Sequence, residues 1–388
     1  MAVSATRLGL AGGIATLLGV GMARFAYTPL IPALVEADWF TIHAANYLGA
    51  INLLGYLIGA AAAHAATRWF GVRTVLAAAL LITVASFFGC ALDAGPIWYG
   101  VWRLACGVTG AVLVVVGVPA ALSRVAPDER PKTGALVFSG IGLGIAASGT
   151  LVPWLASQGV AITWLAMALL ASLLAAWAWF DQFRHLAPLS FETSDSAQGG
   201  RLPALAIALV MIAYGLDAAG FVPHTLFWVD YIARELGRGL AAGSRYWIIF
   251  GVGAACGPWV AGALARRVGF RVALAIALAV KTLAVGLVLA SQSAWALGVS
   301  SYLVGLLVPG VVTLTSGSIA ALAPAARQQQ IWGWATLSFA LAQAIAAYGM
   351  SWSYTPLGTY LPLFGVAAAA LALATLAALA AIRAGGEA

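Results

Sequence analysis

Long windows of this chain hold no charged residue, among them 74–92, 133–180, 282–326 and 328–382. A hydrocarbon layer about 30 Å thick is crossed by a helix of roughly 20 apolar residues. The first window holds one such crossing. Each of the others is long enough for two, with breaks near Pro153 and Ser157-Gln158-Gly159, at Ser291-Gln292-Ser293, and from Ser351 to Pro356. Barrel strands would instead show alternating segments of about ten residues, and these are absent. Filling in the rest predicts helices at 8–35, 42–64, 73–92, 96–124, 133–155, 161–182, 203–230, 244–265, 272–290, 295–323, 329–350 and 359–382. The fold class expected is therefore an all-α integral membrane protein with twelve transmembrane helices.

Composition closes off the other classes. Of 388 residues, 63% are hydrophobic and 8% charged, whereas soluble domains run at about 45–50% and about 25%. The mean hydropathy is +0.98. A soluble enzyme, a disordered chain and a nucleic-acid binder are all excluded. The net charge of +7 fits the basic loops of membrane proteins. Cys90, Cys106 and Cys256 are odd in number and sit in apolar runs, so they read as small packing residues. Arg7 leads into a long apolar stretch containing Pro29 and Pro32, which predicts a retained first helix and no cleaved signal.

Orientation follows from counting bases. With the N-terminus inside, the inner segments hold Arg7, Arg68, Arg73, Arg124, Arg130, Lys132, Arg184, Arg201, Arg266, Arg267, Arg271, Arg327 and Arg383. The outer ones hold only Arg234, Arg238 and Arg245. Both termini are expected in the cytoplasm of a bacterial inner membrane.

The second half echoes the first. At an offset of 198 residues, Gly55-x-x-x-Gly59 falls on Gly253-x-x-x-Gly257, Gly107 falls on Gly305, and Arg68-Trp-Phe-Gly71-Val-Arg73 falls on Arg266-Arg-Val-Gly269-Phe-Arg271. Nearby offsets match Ala126-Pro127 to Ala323-Pro324, and Gly21 and Pro29 to Gly215 and Pro223. The polar stretch between Arg184 and Arg201 reads as a linker. The division expected is 1–183, a linker at 184–201, and 202–388. A parallel repeat of this kind places a substrate site at the repeat interface near the midplane.

These features resemble the major facilitator superfamily over essentially the whole chain. The 68–73 loop is similar to the tail of that superfamily's loop between helices 2 and 3, with His64 and Ala65-Ala66 where an aspartate is usual. Arg103-Leu-Ala-Cys-Gly107-Val-Thr-Gly110 resembles its fourth-helix pattern, whose arginine is linked with proton coupling in several members. Gly140-x-x-x-Gly144 is similar to the helix-5 antiporter motif, with Ile145 in place of the proline. Gly21-Met-Ala-Arg24-Phe25-Ala-Tyr27-Thr-Pro29-Leu-Ile-Pro32 resembles the YbfB/YjiJ-type branch. The resemblance implies two pseudo-symmetric six-helix halves, alternating access, and a cavity lined by helices 1, 4, 7 and 10.

A charge inside a bilayer is costly unless it is paired or wet, and so points to function. Arg24, Arg103, Asp217 and Lys281 stand inside predicted spans, and Asp217 reads as the only deep acid. Arg24 and Arg103 are candidates to receive a carboxylate, or else to bond helix carbonyls. Asp217 is the candidate proton carrier, with Lys281 as partner or competitor if it faces inward. Tyr27, Asn52, His224 and Gln343 complete the candidate substrate-binding set, with Trp228 and Trp332 as further polar candidates. His43, His64 and His185 lie near helix ends and are expected in water. No His/Cys/carboxylate cluster has metal-ligand spacing, and no GxxxxGK loop is present. Neither a metal nor another cofactor is expected, nor an enzymatic activity.

The expected function is secondary active transport of a small organic solute, anionic or zwitterionic, across the inner membrane by alternating access, with protons as the coupling ion. The partners expected are that solute, protons and the lipid bilayer, with no nucleic acid, and the protein is expected to act as a monomer. An exporter of amphipathic or cationic compounds and a non-transporting sensor are the alternatives.

Overall fold

The computed structural model describes residues 4–126, 129–186 and 203–385. Most of the predicted linker, from 187 on, lies outside the described residues, as does Pro127 of the repeat. Twelve helices among the described residues are long and apolar enough to cross a membrane. They are span 1 (Ala5–Glu36), span 2 (Ile42–Phe70), span 3 (Val72–Cys90), span 4 (Gly95–Leu122), span 5 (Lys132–Ala156), span 6 (Val160–His185), span 7 (Ala204–Glu235), span 8 (Leu240–Val268), span 9 (Phe270–Ala290), span 10 (Ala294–Leu322), span 11 (Gln330–Leu357) and span 12 (Leu361–Ala384). Large apolar side chains such as Leu81, Leu173 and Leu283 point outward and exposed, as suits a protein solvated by lipid.

Spans 2, 7, 8 and 11 run several residues beyond their predicted ends. Polar and charged residues do not stop a helix once it has left the apolar layer. Arg68, Arg266 and Arg267 even favour the last turns they occupy, because a helix C-terminus carries partial negative charge. What ends spans 2 and 8 is Gly71 (φ 78°, ψ 151°) and Gly269 (φ 80°, ψ 158°). That backbone conformation is open to glycine and strained for any other residue.

The sequence repeat recurs in the packing. Gly107 lies against the carbonyl of Asn52, and Gly305 against the carbonyl of Phe250, 198 residues on. Gly55 meets Leu104 where Gly253 meets Tyr302, and Gly59 meets Val108 where Gly257 meets Leu306, all at the same offset. Small residues thus bring span 2 onto span 4, and span 8 onto span 10, backbone to backbone. Spans 5 and 8, and spans 2 and 11, pack across between the two repeats.

Wide π-helical turns occur in spans 1, 4 and 7, at Leu17–Phe25, Leu113–Gly117, Pro223–Phe227 and Tyr231–Glu235. Pro29 and Pro119 stand four residues after Phe25 and Val115. A proline ring crowds the carbonyl four residues back, and a wide turn relieves that crowding. Proline alone is insufficient, since Pro153, Pro258 and Pro309 sit in ordinary α-helix. Such bulges often mark functional segments.

Candidate functional site

With an even number of spans, both termini lie at one end of the bundle. At the opposite end the two repeats are joined. Asn46 Nδ2 on span 2 donates to the Tyr360 hydroxyl over 3.1 Å, and that hydroxyl donates to Asp230 Oδ2 over 2.8 Å. Arg234 holds the same carboxylate at 3.3 Å. Glu235 accepts from the Tyr360 backbone N–H at 2.8 Å. Burial, then the Asp230 charge, push the Tyr360 phenol well above the ordinary tyrosine range, so it stays a donor. His43 Nδ1 lies 3.3 Å from the Thr355 hydroxyl, Tyr47 lies against Tyr348, and Thr28 bonds the carbonyl of Thr225. His43 is therefore engaged across the repeats as well as near water. Asp230, 1% exposed, is a second acid inside span 7. Asp217 is not the only one, because span 7 continues five residues past its predicted end.

Nearer the middle stand the four inward charges. Lys281 Nζ donates to Asp217 Oδ1 over 2.7 Å, and sits 4.3 Å from the centroid of the Phe221 ring. The pair is buried, at 0% and 1% side-chain exposure. Lys281 thus faces inward from span 9. Asp217 Oδ2 has no partner among the described residues.

The two arginines differ. Arg103 is 1% exposed, donates from Nη1 to the carbonyl of Ala23 over 2.8 Å, and lies 4.2 Å over the Tyr27 ring. It ties span 4 to span 1. Arg24 is deep in the bundle yet only partly covered, with its guanidinium 4.8 Å from the Phe25 ring and 5.9 Å from the Tyr56 ring. Its Nη2 has no hydrogen-bond partner among the described residues. Arg103 Nε is also unpartnered among the described residues, but Arg103 is fully covered, so of the two cations Arg24 is the one a ligand can reach.

The uncharged candidates separate in the same way. Tyr27 donates to the Ala45 carbonyl over 2.9 Å, and Asn52 to the Arg103 carbonyl over 3.0 Å. His224 is fully buried, with Nε2 2.8 Å from the Ser300 hydroxyl and its ring stacked on Trp228. Ser300 donates to the Ala284 carbonyl, so it accepts from His224, and the imidazole carries its proton on Nε2. Trp228 Nε1 donates to the Ser301 hydroxyl. These four side chains hold helices together. Gln343, in contrast, is buried with its Nε2 unpartnered among the described residues.

An aromatic group, of which only Trp332 was expected from the sequence, stands level with the Tyr56 ring near Arg24. Tyr214 on span 7 stacks on Trp332 (centroids 5.9 Å) and contacts Phe339 (4.5 Å), both on span 11, and Phe221 lies 5.9 Å from Phe339. Spans 2 and 11 run antiparallel with Tyr47 beside Tyr348. Nine residues further along each, Tyr56 stands level with Phe339; five residues along, Asn52 stands level with Gln343. Arg24, Tyr56, Trp332 and Phe339 are all half-buried in the interior, so open space reaches them. The spacing of 332, 336, 339 and 343 along one helical face could have revealed the group.

No match is found among curated proteins. The family described as "Uncharacterised MFS-type transporter YbfB" matches residues 16–379. That match spans nearly the whole bundle, including Arg24, Arg103, Asp217, Asp230 and Lys281, and the chain belongs to the YbfB-type branch of the major facilitator superfamily.

Proposed function

We propose that this secondary transporter carries a small organic anion together with a proton. The buried ion pair of Lys281 and Asp217 is the observation that carries the reading. An isolated charge in such a place is prohibitively costly, and removing one member of a pair exposes that cost. With Asp217 matched by Lys281, the charge left for a ligand is the positive one on Arg24. An anion arriving there adds negative charge to the same low-dielectric interior that holds Asp217 and so favours protonation of that carboxylate. Reciprocity then makes the proton favour the anion.

Alternating access would proceed by rocking of residues 1–183 against 202–388, with 184–201 as the connection. The bonds at Asn46 and Tyr360 support a conformation closed at that end. Counting bases puts the termini in the cytoplasm of a bacterial inner membrane, so the closed end faces outward. The protein works as a monomer, without enzymatic turnover. Its aromatic lining also suits a lipophilic cation. Pairing of Asp217 with Lys281 weighs against that reading, since no free carboxylate is left to receive one.

The test uses proteoliposomes and labelled small carboxylates. A pH gradient should drive their accumulation. Asp217→Asn should abolish that accumulation and spare exchange of the solute across the membrane. Loss of both activities together in a folded variant removes Asp217 from the coupling role. Gradient-driven movement of lipophilic cations, with none of carboxylates, would select the exporter reading.

A further inference from the structure

Resting on the anion reading above, we infer that the solute is a planar aromatic carboxylate, held with its carboxylate on Arg24 and its ring against the group of Tyr214, Trp332 and Phe339. Three independent observations converge on this. The first is the free donor. Arg24 Nη2 is covered yet unbonded; Arg103 also keeps an unpartnered Nε, but it is buried to 1% exposure and anchored by Nη1 to the Ala23 carbonyl, whereas Arg24 is only partly covered. Buried polar groups in proteins rarely go without a partner, and a guanidinium edge matches a carboxylate. Tyr56 and Phe25 flank that guanidinium with ring faces rather than acceptors.

The second feature stands near it. Tyr214, Trp332 and Phe339 form a contiguous ring surface, and Trp332 and Phe339 are only half-buried. Aromatic rings prefer offset-stacked or edge-on partners, and such contacts add to simple burial. A flat ring entering beside Phe339 meets ring faces and edges. A flexible alkyl chain meets the same surface without that gain.

Position supplies the third. The register of spans 2 and 11 sets Phe339 level with Tyr56, which lies against Arg24. Gln343 is one turn further from the termini on the same face as Phe339, and its Nε2 is a second unpartnered donor. It stands where a substituent on the ring, such as a hydroxyl or carbonyl oxygen, would accept from it. A cation of the same shape would meet these two donors, and the one carboxylate nearby with an unpartnered oxygen, Asp217, is already matched in charge by Lys281.

The experiment measures binding to the purified full-length chain in nanodiscs, with benzoate, cyclohexanecarboxylate, acetate and benzylammonium as probes. Benzoate should bind about fivefold more tightly than cyclohexanecarboxylate, the range expected of ring stacking. Phe339→Leu should shrink that preference to less than about twofold. Arg24→Gln should remove binding of both acids, and Arg24→Lys should restore part of it, which controls for misfolding. Equal affinity for the two ring acids, a preference unchanged by Phe339→Leu, preference for benzylammonium, or no binding by benzoate would each overturn the inference. Gradient-driven uptake of acetate without benzoate binding would overturn it while leaving anion transport standing. Absence of carboxylate flux altogether would take the transport reading with it.

Discussion

Lys281 and Asp217 meet at 2.7 Å where neither side chain is more than 1% exposed, and a neighbouring ring, Phe221, covers the ammonium. Substituting one partner strands the other. Asp217→Asn should cost about 3–5 kcal/mol of stability, and replacing both partners by neutral residues should cost much less. Thermal unfolding in detergent will show it: Asp217→Asn/Lys281→Met should melt well above Asp217→Asn alone. A double variant no more stable than the single one would mean that the pair is not isolated in this way.

The two arginines should separate by assay. Arg103→Lys loses the planar contact with Tyr27 and the aimed bond to the Ala23 carbonyl. The expected result is a stability loss of about 1–3 kcal/mol, with carboxylate affinity in the folded fraction little changed. Arg24→Lys should do the reverse, weakening carboxylate binding while leaving the melting temperature near that of the parent. Titration of both variants with benzoate, beside their melting curves, checks this.

Tyr360 gives up two bonds if its hydroxyl is removed, one to Asp230 and one from Asn46 across the repeats. Each is worth about 1 kcal/mol net, so Tyr360→Phe should open the closed end severalfold more often. Labelling of Tyr47→Cys, in a background lacking Cys90, Cys106 and Cys256, should speed up by about fivefold or more. An unchanged labelling rate would show that the rings around Tyr47 and Tyr348 keep this end shut without Tyr360.

A side chain at Gly142 would fall on the backbone nitrogen of Ala255 on span 8. Overpacking of this kind costs about 1–3 kcal/mol. Gly142→Val should lower both melting temperature and transport rate. Gly134→Ala, where nothing stands within reach of an added methyl, should do neither. Uptake rates and melting curves of the two variants make the comparison.

Most of the bundle was legible because hydrophobic length and basic loops are strong signals. Span ends were not, since the sequence marks where lipid stops, whereas the helix stops at residues such as Gly71 and Gly269. The charged centre was half legible. Charge in an apolar run singles out Lys281 and Asp217, yet only the fold shows that they touch. Asp230 escaped because it is the last residue of the predicted helix, close to Arg234 and Glu235, and reads as a helix end in water. Tyr214 and Phe339, the companions of Trp332, escaped for another reason. One aromatic in an apolar helix looks like any other until two helices set them against each other.

The glycines between spans 5 and 8 have a mechanical meaning. Gly142 rests on the backbone at Ala255, and Gly251 on the backbone at Ala146. Most helix pairs mesh like gears, with ridges of side chains seated in grooves, and such a pair turns only by lifting teeth out of their seats. At these glycines the facing surfaces carry no teeth, and what crosses beside them is a short set of hydrogen bonds, Trp247 to Ser148, Trp259 to Ser139 and Ser139 to the Ala255 carbonyl. The seam is a plain bearing: it holds the two helices at close range and lets one roll on the other with few side chains to disengage.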